Sequence, residues 1–230
     1  MKNCPIITID GASGTGKGTV GKMLAAVLGW HFLDSGAWYR IVALAMRQRS
    51  ISFTQESVIA AIASAMEVQF VSSNADITQI FLEGKDVSDL IRTEELGKLA
   101  SQIAVLPAVR NALLLRYRAL AKPPGLVADG RDMGTVVFRS AKLKIFLTAS
   151  IAERARRRKE QLQAQGINVN LSGIMANLQE RDQRDQQRLI APLQPDDSAV
   201  CIDTDTLQPM AVVQHIIMLL SADNMANLLV

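Results

Sequence analysis

Short apolar runs rich in β-branched residues alternate with longer stretches of helical period along most of the 230-residue chain. That alternation predicts strands that feed helices on the faces of one sheet. Ile6 to Ile9 is the first strand run and Val20 to Leu28 the first helical stretch. Trp30 to Leu33 reads as a second strand. The spacing of Tyr39, Val42, Ala43 and Met46 then predicts a helix, with Ser35 and Arg40 at or just inside its start. Thr54 to Met66 fits an amphipathic helix with Thr54 as the N-cap candidate.

Residues 64 to 95 break the alternation. Glu67 to Val71 and Ile77 to Leu82 carry strand-type residues on either side of a turn at Ser72 to Asp76, and a third extended piece runs from Lys85 to Val87. This predicts a small antiparallel insert. Helical period returns over Glu94 to Val105 and Ala108 to Ala121, interrupted at Pro107. Leu126 to Ala128 reads as a buried strand and Lys142 to Leu147 as another strand. Ser150 and Glu153 have capping-box spacing for a following helix. A charged helix is expected over Leu171 to Leu189, stopped by Ala191-Pro192, then a strand over Ala199 to Asp203 and a final helix over Gln208 to Ser221. The class is α/β: a central parallel sheet flanked by helices, with the antiparallel insert.

Candidate chemistry enters at the first strand-to-helix junction. Gly11-Ala-Ser-Gly-Thr-Gly-Lys-Gly-Thr19 follows a strand and opens a helix, the context a phosphate-binding loop requires. Gly11, Gly14 and Gly16 allow positive φ, so successive N–H groups can converge on an anion at the helix N-terminus. Lys17 adds a point charge for the outer phosphates. Gly18 stands where a hydroxyl residue usually follows the lysine, and the hydroxyl comes one position later at Thr19; that form resembles the loop of nucleoside monophosphate kinases.

Three further stretches are rich in charge. The strand ending at Ala128 runs into Asp129-Gly-Arg-Asp-Met-Gly-Thr135, an acidic element of the kind that works on magnesium or the attacking group. Arg154, Arg156, Arg157, Arg158 and Lys159 crowd one helix, read either as a solvated basic face or as a phosphate-seeking lid. Arg181, Asp185 and Arg188 fall at i, i+4 and i+7, one face of a helix, read either as a site face or as exposed ion pairs. Arg40 likewise reads as an exposed helix arginine or as a ligand.

Composition narrows the picture. The chain is 49% hydrophobic and 20% charged, with a net charge of +3, which suits anionic substrates and is too small to argue for nucleic-acid binding. Aromatic residues make up 4%, few platforms for stacking single strands. Cys4 and Cys201 have no metal-ligand or redox-motif spacing, which points to a reducing, cytoplasmic setting. No apolar run is long enough to span a bilayer. His31 and His215, the two histidines, form no Ser/His/Asp arrangement, so nucleophilic catalysis is not expected.

Taken in order, GASGTGKGT, LDSGAWYR (Leu33 to Arg40), the helices with Ser101 and Arg110, DGRDMGT (Asp129 to Thr135) and ERDQRDQQR (Glu180 to Arg188) resemble bacterial cytidylate kinases over essentially the whole chain. The resemblance implies a P-loop kinase with core, monophosphate-binding insert (64–95) and lid (153–170), acting as one domain over 1–230. It implies transfer of the γ-phosphoryl group of ATP to CMP or dCMP with Mg²⁺, in pyrimidine nucleotide salvage and recycling. Gly11, Ala12, Ser13, Gly14, Thr15, Gly16, Lys17, Gly18 and Thr19, with Arg157, would hold ATP. Ser35, Arg40, Ser101, Arg110, Arg131, Asp132, Arg181, Asp185 and Arg188 match the monophosphate-site positions, and Lys17, Arg131 and Arg188 would serve transfer. No dedicated metal site, no nucleic-acid or membrane partner, and a monomer are expected. Trp38 stands where the family usually has a smaller aliphatic residue.

Cytosine offers an amino donor beside ring acceptors, so a carboxylate and a guanidinium suit it; Asp132 and Arg110 are the candidates. Asp185 and Arg181 would serve the sugar. Rival readings are a kinase for UMP, AMP or shikimate, which the insert and the Asp129 to Thr135 run disfavour, a P-loop binding module that touches nucleic acid, and a purely structural α/β domain.

Overall fold

The structure, a computed structural model, describes residues 4–73, 77–164 and 166–226. In chain order its elements are β1 (Ile6–Gly11), α1 (Lys17–Leu28), β2 (His31–Asp34), α2 (Ser35–Gln48), α3 (Glu56–Ala65), β3 (Val68–Ser73), β4 (Ile77–Leu82) and β5 (Lys85–Asp86). There follow α4 (Glu94–Ile103), α5 (Pro107–Ala119), β6 (Leu126–Gly130), β7 (Leu143–Thr148), α6 (Ile151–Ala164), α7 (Leu171–Gln187), β8 (Val200–Asp203) and α8 (Pro209–Ala226). Two short turns complete the list, a 3₁₀ turn at Leu90–Arg92 and a π-helical turn at Met133–Val137. The chain forms two compact units, Met1–Leu33 with Ala121–Val230, and Asp34–Leu120.

The first unit is built on the five-stranded sheet, ordered β2-β6-β1-β7-β8. β1 pairs in parallel with β6 and β7, and β7 with β8. Strands of a parallel sheet are covered on both faces, which is why β6 is buried along its whole length and why these runs read as continuously apolar. Ile7, Ile9, Val127, Ile145, Leu147 and Ile202 of the sheet pack with Val20 and Leu24 of α1 and with Val212, Val213 and Ile216 of α8. Burial of each such side chain contributes roughly 1.5–3 kcal/mol. β1 is central, so the loop at its C-terminal end leaves the edge where open α/β sheets bind ligands.

The second unit holds α2 to α5 and the antiparallel sheet β3-β4-β5, in which Val68 pairs with Leu82 and Phe81 with Asp86. The expected insert is therefore present as a sheet; the centre of its turn, residues 74–76, lies outside the described residues, as does Gln165 of the 153–170 stretch. α2 is capped by Asp34, whose carboxylate accepts from Ala37 N at 2.9 Å. Trp38 is buried on α2 against Phe70 (ring centroids 5.4 Å apart) and the edge of Tyr117, with the Arg116 guanidinium 4.8 Å from its ring centroid. Arg116 Nη1 also donates to the carbonyls of Ala63, Ser64 and Met66, ending α3.

Local chemistry moves some boundaries. Thr54 does not cap α3: its hydroxyl and N–H turn to Ser52 Oγ, and the helix begins at Glu56. Glu56 in turn accepts from Ala108 N, in the first turn of α5. Pro107 opens α5, where a missing N–H costs nothing. Only half of the capping box forms. Ser150 Oγ accepts from Glu153 N at 3.2 Å, while Ser150 N donates to Asp205 because Glu153 is drawn to Arg156 and Arg157.

Candidate active site

The loop from Gly11 to Gly16 leaves β1 and enters α1 with φ of 146°, 85° and 89° at Gly11, Gly14 and Gly16. The expected positive φ values are present at all three glycines. Gly16 is the left-handed residue immediately before the first helical residue, Lys17. Lys17 is buried; its ammonium donates to Ala12 O at 2.6 Å and stands 3.4 Å from Thr15 Oγ1. Burial, then the positive charges of Arg131 and Arg181, lower its pKa to about 7, against the opposing pull of Asp129 and Asp10. Thr15 is buried within the loop, whereas Thr19 is exposed on α1.

Two arginines of α6 brace this loop from outside. Arg154, buried, donates to Ser13 O at 3.1 Å and pairs with Asp182 of α7 at 2.6 Å. Arg157 donates to Thr204 O and Oγ1, and Thr204 Oγ1 in turn donates to Thr15 O at 3.1 Å. Arg157 Nη1 also lies 3.9 Å from the position a Cβ on Gly16 would take. Arg156 pairs with Glu153 and Glu160, and Arg158 with Gln161, both toward solvent. Arg154, Arg156 and Arg157 are thus offset by carboxylates of the chain itself.

A second cluster gathers around the end of β6. Arg131 Nε donates to Asp185 Oδ2 at 2.8 Å. Burial would push the Asp185 carboxyl up, but the positive charges of Arg131, Arg181 and Arg188 outweigh it and hold the group below the usual carboxylate range. Arg188 does not share the helical face of Arg181 and Asp185. α7 ends at Gln187, and Arg188 is turned by an extended backbone so that Nε donates to Ala191 O and Nη2 stands 3.6 Å from Asp132 Oδ1. That separation is an ion pair without a hydrogen bond. The structure therefore brings Arg131, Asp132, Arg181, Asp185 and Arg188 together in the first unit, with Lys17 in their field.

Ser35, Arg40, Ser101 and Arg110 belong to the second unit. Ser35 is the first residue of α2 and Ser101 sits on α4, both buried. Arg40 donates to Ile91 O at 2.7 Å and Thr93 O at 3.0 Å. Gly97 of α4 makes that placement possible, since a Cβ there would stand 2.6 Å from Arg40 Nη2. Arg110 donates to Ala104 O at 3.0 Å and contacts Tyr39 Oη at 3.4 Å.

Sequence reasoning passed over Asp10, Asp182 and Thr204 as site-building residues, and took Arg154 only as one of the crowded cations of its helix. Their partners lie far along the chain, and no spacing rule pairs them. For a metal ion, the described residues contain no group of three or more His, Cys, Asp or Glu suited to hold one. Asp129, buried at the end of β6, has Oδ2 3.4 Å from where a Cβ on Gly18 would be. One carboxylate beside a phosphate loop fits Mg²⁺, which takes most of its ligands from phosphates and water. No described helix is long and apolar enough to cross a membrane.

The family described as cytidylate kinase matches residues 7–222. A cytidylate kinase of Stutzerimonas stutzeri is 52% identical over 218 residues, 94% of this chain and 95% of that one. One of Azotobacter vinelandii is 51% identical over 223 residues, 96% of this chain and 97% of that one. Among solved structures, an uncharacterized protein from Eubacterium ventriosum shares the fold, with a TM-score of 0.50 at 13% identity over 95% of this chain and 98% of the other.

Proposed function

The chain belongs to the cytidylate kinase family, and we propose from that premise which residues carry its transfer of the γ-phosphoryl group of ATP to CMP or dCMP. An oxygen of the acceptor phosphate forms a bond to the γ-phosphorus, the bond from that phosphorus to the β–γ bridging oxygen breaks, and its electron pair leaves on ADP; the product is CDP or dCDP. Such a reaction is mostly positioning and charge stabilisation. The observation that carries the assignment is the convergence of Lys17 with Arg131 and Arg181 within one another's field.

Lys17 and the N–H groups of the Gly11 to Thr19 loop hold the ATP phosphates, with Arg157 beside the loop. Mg²⁺, when bound, neutralises phosphate charge, and Asp129 is the side chain placed to help hold it. Arg131 and Arg188 stabilise the charge on the moving phosphoryl group. Ser35, Arg40 and Ser101 serve the monophosphate, Arg181 and Asp185 the sugar, and Asp132 with Arg110 the cytosine. The 64–95 stretch acts as the acceptor lobe, and the 153–170 stretch as the cover that keeps water from ATP. We further propose a monomer working in the cytoplasm in nucleotide salvage; the free thiols of Cys4 and Cys201 support a reducing compartment.

The test is a coupled ADP-release assay with ATP, magnesium and CMP, dCMP, UMP, AMP or GMP. Release confined mainly to CMP and dCMP is expected. Preference for another base overturns the Asp132/Arg110 assignment, and no release with any acceptor overturns the activity.

A further inference from the structure

We propose that Asp10 is a positioning residue of the acceptor site, a two-point clamp from β1 that sets the direction of Asp132. Asp10 is the last side chain before the phosphate loop, with Gly130 beside it on β6 and Phe146 on β7. Its carboxylate is 5% exposed. Oδ1 accepts from Met133 N and Oδ2 from Gly134 N, each at 2.8 Å. These are the two peptide groups that follow Asp132.

The need for such a clamp lies in the turn itself. Met133–Val137 is a π-helical turn whose leading N–H groups have no acceptor within it, and the side chain of Asp132, at the N-cap position, makes no capping bond. A carboxylate answers both N–H groups because it has two acceptor oxygens; an asparagine amide has one, and its NH₂ would face a donor. Gly134 meanwhile lies flush on β1, since a Cβ there would stand 2.9 Å from Thr8 Oγ1. Asp132 is thereby held between the clamp behind it and Arg188 in front. The carboxylate is an expensive choice at this place. Its pKa is raised to about 6, by burial first and then by the nearby charge of Asp132, against the two N–H bonds and Lys17, which lower it. A residue needed only to fill space would avoid that cost.

The proposal rests on the reading of Asp132 as the group that recognises cytosine, so the experiment separates the two. Asp10→Asn, Gly134→Ala and Asp132→Ala are compared for KM of CMP, KM of ATP and the CMP-over-UMP ratio, together with amide hydrogen exchange at Met133 and Gly134. Asp10→Asn is expected to accelerate exchange at those two amides, raise the KM of CMP and lower the CMP-over-UMP ratio by about tenfold each, and leave the KM of ATP within about twofold. Gly134→Ala, which keeps the carboxylate but pushes the turn off β1, is expected to give the same kinetic pattern and keeps the test open if Asp10→Asn does not fold. Unchanged amide protection in Asp10→Asn, equal losses for ATP and CMP, or wild-type selectivity in Gly134→Ala would overturn the clamp. Unaltered base selectivity in Asp132→Ala overturns the Asp132 reading instead, and the exchange result then decides the clamp alone.

Discussion

At the scale of single residues, Lys17 carries the clearest consequence. A buried ammonium with Arg131 and Arg181 in its field has its pKa brought down to about 7, and phosphate is the partner that restores its charge. The sign follows directly. Below about pH 7 the lysine is already charged, and ATP binding moves no proton through it. Above that value the unliganded lysine is neutral, so binding takes up a proton and affinity falls as pH rises, by up to about tenfold per pH unit. Calorimetry with a non-hydrolysable ATP analogue, in buffers of different ionisation heat at pH 8, is expected to show that uptake in the wild type and its loss in Lys17→Met. An affinity flat between pH 7 and 9 would show that the lysine is already charged in the free enzyme. This residue was legible in the sequence because its loop is local. Asp10 was not, because its two partners are 123 and 124 positions away.

Among elements, helix periodicity and strand patterning located nearly every segment, since burial on a sheet face or a helix stripe leaves a local trace. The misses have tertiary causes. Thr54 yields its cap role to a Ser52 contact, and the π-helical turn after Asp132 has no propensity pattern of its own. The end of α7 shows the same limit. A face drawn through Arg181, Asp185 and Arg188 assumes helix to the last residue, and the chain leaves the helix at Gln187. Packing between α2 and α4 carries a prediction at this scale. Because a methyl on Gly97 would collide with the Arg40 guanidinium, Gly97→Ala should displace Arg40 from Ile91 O and Thr93 O while α4 itself gains about 1 kcal/mol of helix propensity. A raised KM for CMP with an unchanged or higher melting temperature is expected. A wild-type KM would show that Arg40 does not serve the acceptor.

For the whole molecule, charge is distributed unevenly. The unit of Met1–Leu33 and Ala121–Val230 holds sixteen Lys and Arg against thirteen Asp and Glu, while Asp34–Leu120 holds nine of each. The entire excess of +3 lies in the unit with the phosphate loop, which suits a surface that must attract polyanions. The α6 arginines contribute to that excess, yet they are not equivalent. Arg156 and Arg158 make solvent-facing contacts of little energetic weight. Arg154 is different, because its removal leaves Asp182 without its 2.6 Å partner and Ser13 O without its donor. Breaking a part-buried pair of this kind costs less than the roughly 3–5 kcal/mol of a fully buried one. The Arg156→Ala/Arg158→Ala double variant is therefore expected to keep transfer to CMP, acceptor-free ATP hydrolysis and melting temperature near wild type. Arg154→Ala should lower the melting temperature and raise the KM of ATP, and Arg154→Lys, which keeps the charge but not the fork that reaches two partners, should recover stability only in part. A double variant that lost transfer while Arg154→Ala kept it would reverse the division, and would assign the phosphate-seeking role to the solvent-facing arginines rather than to the one that braces the loop.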